Sequence, residues 1–231
     1  MSFELPLFPL NVVLFPGMQL PLHIFEPRYR LMMRRCLEAD RTFGVAMLVD
    51  GREGQSGTVP ADIGCTAEIL EVAPFADGRM NLQSIGRRRF HVLSRREEDG
   101  YLIGTCEWLD DEATGPGTTE QVNKMVPLLL RYLRDFTRNV NMPNFDPESL
   151  DIPGDPYALS MWLAALMPLP LDQKQTLMTM RSTADRLEME YDLLVRAEIV
   201  QRAYHQRTEA GTAQTGGDDM SGPLSQYVSL N

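Results

Sequence analysis

Residues 5–29 constrain this chain more than any others. They are almost wholly apolar, and proline interrupts them at positions 6, 9, 16, 21 and 27. A spanning helix or a signal-peptide core needs an unbroken apolar run, and proline removes a hydrogen bond wherever it falls inside a helix. Short apolar runs between Pro and Gly read instead as buried strands joined by fixed turns. Pro16-Gly17 suits the centre of a type II turn, where proline presets the first φ and glycine accepts a positive second one. Pro27 suits the first position of a helix, whose N–H has no intrahelical partner in any case. The expected unit is strand-turn-strand-helix.

A length of 231 residues allows one domain or two small ones, and 43% hydrophobic residues suffice for a core. The formal charge of −10 argues against general binding to nucleic acid or to anionic membranes, which depends on neutralising phosphate. Cys36, Cys65 and Cys106 are odd in number and far apart. They suggest neither a disulfide framework nor a zinc site, and a reduced cytoplasm fits them.

Residues 26–39 read as a helix, with Tyr29, Met32, Met33, Cys36 and Leu37 on one face and arginines on the other. Residues 43–49 read as a buried strand and 50–60 as a loop. Asp77-Gly78 and Asp99-Gly100 each separate two strand-like runs, and Asp-Gly favours two-residue hairpin turns because both positions tolerate φ > 0. Six or seven mostly antiparallel strands and one helix follow.

The composition changes over residues 110–119, which read as a linker. Thr118 and Gln121 then fit a capping box opening a helix, which Pro127 should kink or delay. After a loop at 139–154, Asp155-Pro156 opens a helix at 157–167, and a short helix follows at 172–180. Ser182 and Asp185 open a long last one. Four helices with short links suggest a bundle. The expected class is α+β: a β-rich domain at 1–112, a helical domain at 118–205 and a flexible tail at 206–231.

The opening run Leu5-Pro6-Leu7-Phe8-Pro9-Leu10, Phe15-Pro16-Gly17, Leu20-Pro21-Leu22-His23-Ile24-Phe25-Glu26-Pro27-Arg28-Tyr29 resembles the signature of the Lon protease N-terminal, substrate-binding domain. The likeness continues at residues 43–46 and 64–69, at Gly86 with Arg89 and Phe90, and more weakly to about Leu194. The resemblance implies a PUA-like pseudo-barrel for the β-rich part and a polypeptide-binding role.

Catalytic sets are hard to assemble. There is no G-x-x-x-x-G-K-[ST] loop, so the family's ATPase has no counterpart here. The two lysines, Lys124 and Lys174, lie on helices beside apolar stripes and read as solvated, whereas a Ser-Lys dyad needs a desolvated lysine. Cys65 with His91 lacks a third orienting group, and His23, His91 and His205 form no metal-binding pair. No catalysis and no cofactor are expected.

Arg87-Arg88-Arg89 with His91, Arg95 and Arg96 is the densest basic patch, and PUA-like folds in other families bind RNA. Glu97-Glu98-Asp99 follows at once, and a solvated strand is the simpler reading. Alternation would put Arg88, Phe90 and Val92 on one face and Arg87, Arg89 and His91 on the other. Glu26, Arg28 and Arg89 read as scaffold beside Phe15, Pro16, Gly17, Pro27, Tyr29, Gly86 and Phe90, and Glu26 should brace against Arg89.

Most of the fourteen methionines, among them Met142, Met161, Met167, Met178, Met180 and Met189, read as core filler. A groove lined by Phe75, Tyr132, Phe136 and Trp162 is the expected peptide site. An extended client could also add to an open sheet edge. The expected function is a free-standing, non-catalytic module that binds unfolded or extended polypeptide, alone or as a homo-oligomer, and presents it to a protease or chaperone. The alternatives are an accessory subunit of an ATP-dependent peptidase acting in trans, and a small-ligand or RNA-binding module.

Overall fold

The computed structural model describes residues 1–50, 59–112, 115, 118–139 and 146–212, with backbone alone at 50, 138–139 and 202–212. Met142, the His205 side chain and the end of the tail lie outside the described residues. Seven strands and five α-helices are present among them: β1 Ser2–Leu10, β2 Gln19–Ile24, α1 Pro27–Glu38, β3 Thr42–Asp50, β4 Val59–Pro60, β5 Ile63–Pro74, β6 Met80–Glu98 and β7 Tyr101–Trp108 form the first part. There follow α2 Thr118–Asn139, a 3-10 turn at Pro147–Ser149, α3 Pro156–Leu166, α4 Leu171–Thr179 and α5 Thr183–Thr212. The class is α+β.

Five strands close a ring, β1-β7-β6-β5-β3, which a pairing of β3 with β1 completes. That last pairing is parallel and the others are antiparallel. β2 and the short β4 hang on this ring, β2 against β6 and β4 against β3. Strand β6 is long because it serves two partners on one side: Met80–Ile85 pairs with β2, and Phe90–Glu98 pairs with β7.

Phe90 sits at the centre of the ring with Leu5, Leu7, Val92 and Cys106. Two glycines make room for it. A Cβ at Gly44 would lie 2.9 Å from the tip of the Phe90 ring, and one at Gly64 would lie 2.8 Å from it. The opening turn is the expected type II, with Met18 N–H donating to the Phe15 carbonyl (3.0 Å) and φ +82 at Gly17. It crosses β6 so closely that a Cβ at Gly86 would stand 2.1 Å from the Phe15 oxygen.

The two Asp-Gly turns differ. Asp99 and Gly100 both have positive φ, as a two-residue hairpin turn requires. At Asp77-Gly78 only the glycine does. There Gly78 N–H donates to Phe75 O (3.0 Å) and Phe75 N–H to Arg79 O (2.8 Å), so the loop is one residue longer and ends in a glycine bulge.

The chain divides into two compact units, residues 1–116 with 153–186, and residues 117–152 with 187–231. In the first, Asp155 caps α3 through Ala158 N–H (2.8 Å) with Pro156 behind it, and Ser182 Oγ caps α5 through Asp185 N–H (3.2 Å). In the second, α2 buries Met125, Leu128, Leu129 and Leu133, and α5 buries Leu187 and Leu194. Pro127 does not delay α2, which already runs from Thr118. Both Pro127 and Asn123, whose carbonyl loses its donor, are exposed to water that can replace the missing bond.

Candidate functional site

Among the described residues, the cysteines, His91 and the two lysines are buried or engaged by neighbours. Cys36, Cys65 and Cys106 are free and buried. Burial pushes the first two thiols up to about 12 and the third to about 11, so none is a nucleophile near neutral pH. Nδ1 of His91 lies 3.2 Å from Glu107 Oε1 across the β6–β7 ladder. Lys124 is exposed and pairs with Glu120 one turn away (2.7 Å). Lys174 departs from the solvated reading: it is buried, its pKa lowered by desolvation, and its Nζ donates to Ala165 O at the end of α3 (2.9 Å). A cation there complements the carbonyl end of that helix. Among the described residues no cluster of His, Cys, Asp and Glu is arranged to hold a metal ion.

The basic run is neutralised residue by residue. Arg87 pairs with Glu68 (2.6 Å), Arg88 with Asp110 (2.8 Å), Arg95 with Asp62 (2.5 Å) and Arg96 with Glu4. Arg88 also stacks over the Trp108 ring at 4.4 Å. A phosphate backbone would have to displace a carboxylate at each of these positions.

Arg89 overturns two expectations. It is fully buried, as its neighbour Phe90 is, so the strand does not alternate between wet and dry faces here. The ring interior takes Phe90, and carbonyls of the α4–α5 connection cover Arg89. Nor does Arg89 meet Glu26, which pairs with Arg28 (3.1 Å). The carboxylate bound to Arg89 is Asp111, and Nη1 donates to the carbonyls of Met178 and Met180 (2.6 Å each). Arg186, also fully buried, binds the other oxygen of Asp111 (2.6 Å), Ser160 Oγ (2.7 Å) and Met180 O (2.9 Å). Removing a guanidinium from water demands such partners. Asp111 sits in an acidic run that reads as linker, so neither it nor Arg186 carries a local signal.

Helix α1 is tied to both hairpin turns by arginine. Arg28 donates to Gly100 O (3.2 Å), Arg35 to Tyr101 Oη (2.8 Å) and Asp99 (2.7 Å), and Arg30 to Asp77 O (2.9 Å). Beside the Arg30 contact lies an exposed aromatic group. Phe25 is 59% exposed and Phe75 43%. The His23 ring stacks on Phe25 at 6.1 Å and meets Phe75 edge-on at 5.8 Å. His23 Nδ1 lies 2.6 Å from Asn81 Oδ1, its cross-strand neighbour.

The same group borders an open strand edge. Among the described residues β2 pairs with β6 alone. Gly86 N–H donates to Met18 O, so Met18 and every second residue after it face β6. Gln19, Pro21 and His23 therefore turn their backbone groups outward. Proline tolerates that position because an edge needs no donor from it. The edge offers the N–H groups of Gln19 and His23 and three carbonyls. Of the residues expected to bind peptide, Phe75 lies in this group. Trp162, half-buried on α3, belongs to the same unit. Tyr132 and Phe136 are half-buried on α2 in the other unit, with ring centroids 6.4 Å apart.

The family model of the ATP-dependent protease La (LON) substrate-binding domain matches residues 4–196. The chain belongs to this LON substrate-binding domain family. Protein cereblon from Xenopus tropicalis is 32% identical over 152 residues, which are 63% of this chain and 32% of that protein. Lon protease 1 from Hydrogenovibrio crunogenus is 25% identical over 187 residues, 77% of this chain and 22% of that one. The chain thus spans a third or less of the length of these relatives. The Lon N-terminal domain protein from Xanthomonas campestris has a similar structure, with TM-score 0.57 at 27% identity over 81% of this chain and 96% of that one. Within the LON domain, the motif residues Phe15, Gly17, Gly86 and Phe90 meet around the opening turn and the ring centre, while Phe25 in the same motif stays exposed. No helix among the described residues is long and apolar enough to cross a membrane.

Proposed function

We propose that this protein is a non-catalytic module that binds extended or unfolded polypeptide, and that the peptide lies along the open edge of β2 against His23, Phe25 and Phe75. The observation that carries the reading is the exposed aromatic group beside an unpaired strand edge. An edge supplies main-chain hydrogen bonds to any sequence, and aromatic side chains supply apolar contact without demanding one partner shape. Membership of a substrate-binding domain family supports the same role. The thiols held protonated by burial, His91 beside Glu107 and Lys174 bound to a helix-end carbonyl support the absence of turnover. Trp162, in the same unit, extends the apolar contact in this proposal. One relative of the chain, Lon protease 1, is a protease by name, which supports handing bound clients to an ATP-dependent protease in the cytoplasm.

The test is fluorescence anisotropy of a labelled, permanently unfolded polypeptide titrated with the protein without ATP, followed by a gel of the same sample. Saturable binding with intact polypeptide is expected. Cleavage that survives stringent purification, or no binding at all, overturns the proposal.

A further inference from the structure

Strand β2 carries no charge from end to end: Gln19-Leu20-Pro21-Leu22-His23-Ile24. Edge strands are ordinarily guarded against pairing with another chain by charged side chains, proline or a covering segment. On β2 the guard is proline alone. Of the carboxylates at this end of the sheet, Glu26 pairs with Arg28 (3.1 Å), Asp77 pairs with Arg79 (2.7 Å), and Glu71 lies on β5, with β6 between it and the edge. Gln19, Pro21 and His23, whose backbone groups turn away from β6, are all exposed. Proline has no N–H, so the outward amides are those of Gln19 and His23. They lie symmetrically about Pro21 in the sequence.

We infer that this edge pairs with the same edge of a second copy of the chain, antiparallel, with Pro21 facing Pro21 across a two-fold axis. In an antiparallel ladder, two residues whose backbone groups face each other exchange both of their N–H···O bonds. With Pro21 on the axis, Gln19 of each copy faces His23 of the other. Both pairs then exchange both bonds, and every outward amide of the two strands is used. Sliding one strand by two residues sets Pro21 against Gln19 or against His23. Each pair within the strands then keeps one bond and lacks the other, because proline has no donor to give. Proline thus fixes the register, since only on the axis is its loss confined to one pair. A two-fold axis is also what lets a single patch complement itself and close at two copies. One rung beyond the strand, Phe25 of one copy meets the Pro16-Gly17 turn of the other. Phe25 is exposed, and nothing stands within 4 Å of the Cβ position of Gly17. Aromatic rings cover edge glycines in this way. A strand of 6 residues is small beside the roughly 20–30 residues a side of a standard interface, so the pairing is weak and reversible. The edge is open in dilute protein and closes as concentration rises. This pairing goes beyond the peptide-binding reading and stands without it. Where a client takes the same two amides, client and second copy exclude each other.

The experiment places cysteines on the edge of the full chain, whose own three cysteines are buried. Facing residues of a hydrogen-bonded antiparallel pair stand about 5.5 Å apart at Cα, within disulfide range. An equimolar mixture of Gln19→Cys and His23→Cys proteins should therefore form a disulfide-linked dimer under mild oxidation, joined from position 19 to position 23. Neither variant alone should link, because its like residue sits four positions along the partner strand, roughly 14 Å away. Both variants keep Pro21, and both replace exposed side chains. In parallel, sedimentation velocity of the unaltered protein should show the dimer fraction rising between about 1 μM and 1 mM. Protein that stays monomeric over that range overturns the pairing. Variants that link as readily alone as together overturn it too, because contact without register would do the same. Excess unfolded polypeptide should suppress the mixed dimer. A mixed dimer that persists while polypeptide is bound leaves the pairing standing and removes the client from the β2 edge.

Discussion

Nη2 of Arg186 lies 2.6 Å from Oδ2 of Asp111, and the other oxygen of that carboxylate holds Arg89. One carboxylate, 11% exposed, therefore serves two guanidiniums with no exposure at all, one from strand β6 and one from the first turn of α5. Within this unit the sheet and the helical segment are joined through Asp111 more than through any ion pair on the surface.

Removing Asp111 leaves two buried cations without a counterion. Asp111→Ala should cost about 3 kcal/mol or more in urea unfolding, the range seen when one partner of a buried pair is deleted. Asp110→Ala, which breaks the exposed Arg88 pair, should cost less than about 1 kcal/mol. Similar losses for the two variants would mean that Asp111 is not the shared counterion.

Gly86 is required by space, because the Phe15 carbonyl approaches where a Cβ would stand. A backbone atom cannot rotate away as a side chain can. Gly86→Ala should lose at least about 2 kcal/mol or fail to fold. Gly154, with nothing within 4 Å of its Cβ position, should accept alanine with little change in melting temperature.

The three thiols predict how stability falls at alkaline pH. Each is protonated in the folded protein up to about 11 or 12, while the ordinary value is 9.0. Their contribution is complete below about pH 9 and is lost as pH rises toward the folded values, because the unfolded chain releases its protons first. The loss is about 1.4 kcal/mol per thiol per pH unit in that window. Burial raises Tyr132 and Tyr157 as well, which acts in the same direction. Lys174 opposes them: its lowered pKa penalises the charged form in the folded state, and that penalty fades as pH rises. One lysine against three thiols leaves a net fall, so the urea midpoint should drop between pH 8.5 and pH 10. Cys65→Ala should flatten the drop. Thiol reagents should label none of the three cysteines at pH 7.5 until urea is added.

Phe25 and Phe75 should separate binding from stability. Phe25→Ser and Phe75→Ser remove exposed rings, so each should shift unfolding by no more than about 0.5 kcal/mol. Each should weaken binding of an unfolded polypeptide several-fold, and the pair more. Unchanged affinity in the double variant would place the peptide elsewhere, with Tyr132, Phe136 and Trp162 the next positions to replace.

Local chemistry made much of the fold legible. The Pro16-Gly17 turn, Pro27 at the start of α1, the Asp155-Pro156 cap and the Ser182 cap each follow from the backbone preferences of one or two residues. Alternation alone does not show that β1, β7, β6, β5 and β3 close into a ring, because closure depends on the pairing of β1 with β3. What stayed hidden depends on contacts remote in sequence. Arg89 and Asp111 are 22 residues apart, and nothing near either one says that they meet. A lone lysine on an apolar helix face reads the same whether its nitrogen reaches water or a helix end, so Lys174 was misread. The candidate site was half visible: Phe75 stood out as an aromatic candidate, but Phe25 and His23 looked like strand core, because sequence does not reveal which strand lacks a neighbour.

Amide hydrogen exchange of the protein with and without a bound unfolded polypeptide tests the central claim most directly. Without the polypeptide, the N–H groups of Gln19 and His23 should exchange quickly, since they point away from β6, while those of Leu20, Leu22 and Ile24 are protected. With it, exchange at Gln19 and His23 should slow sharply. Saturable binding that leaves those two amides exchanging at their free rate would contradict the placement of the peptide on the β2 edge.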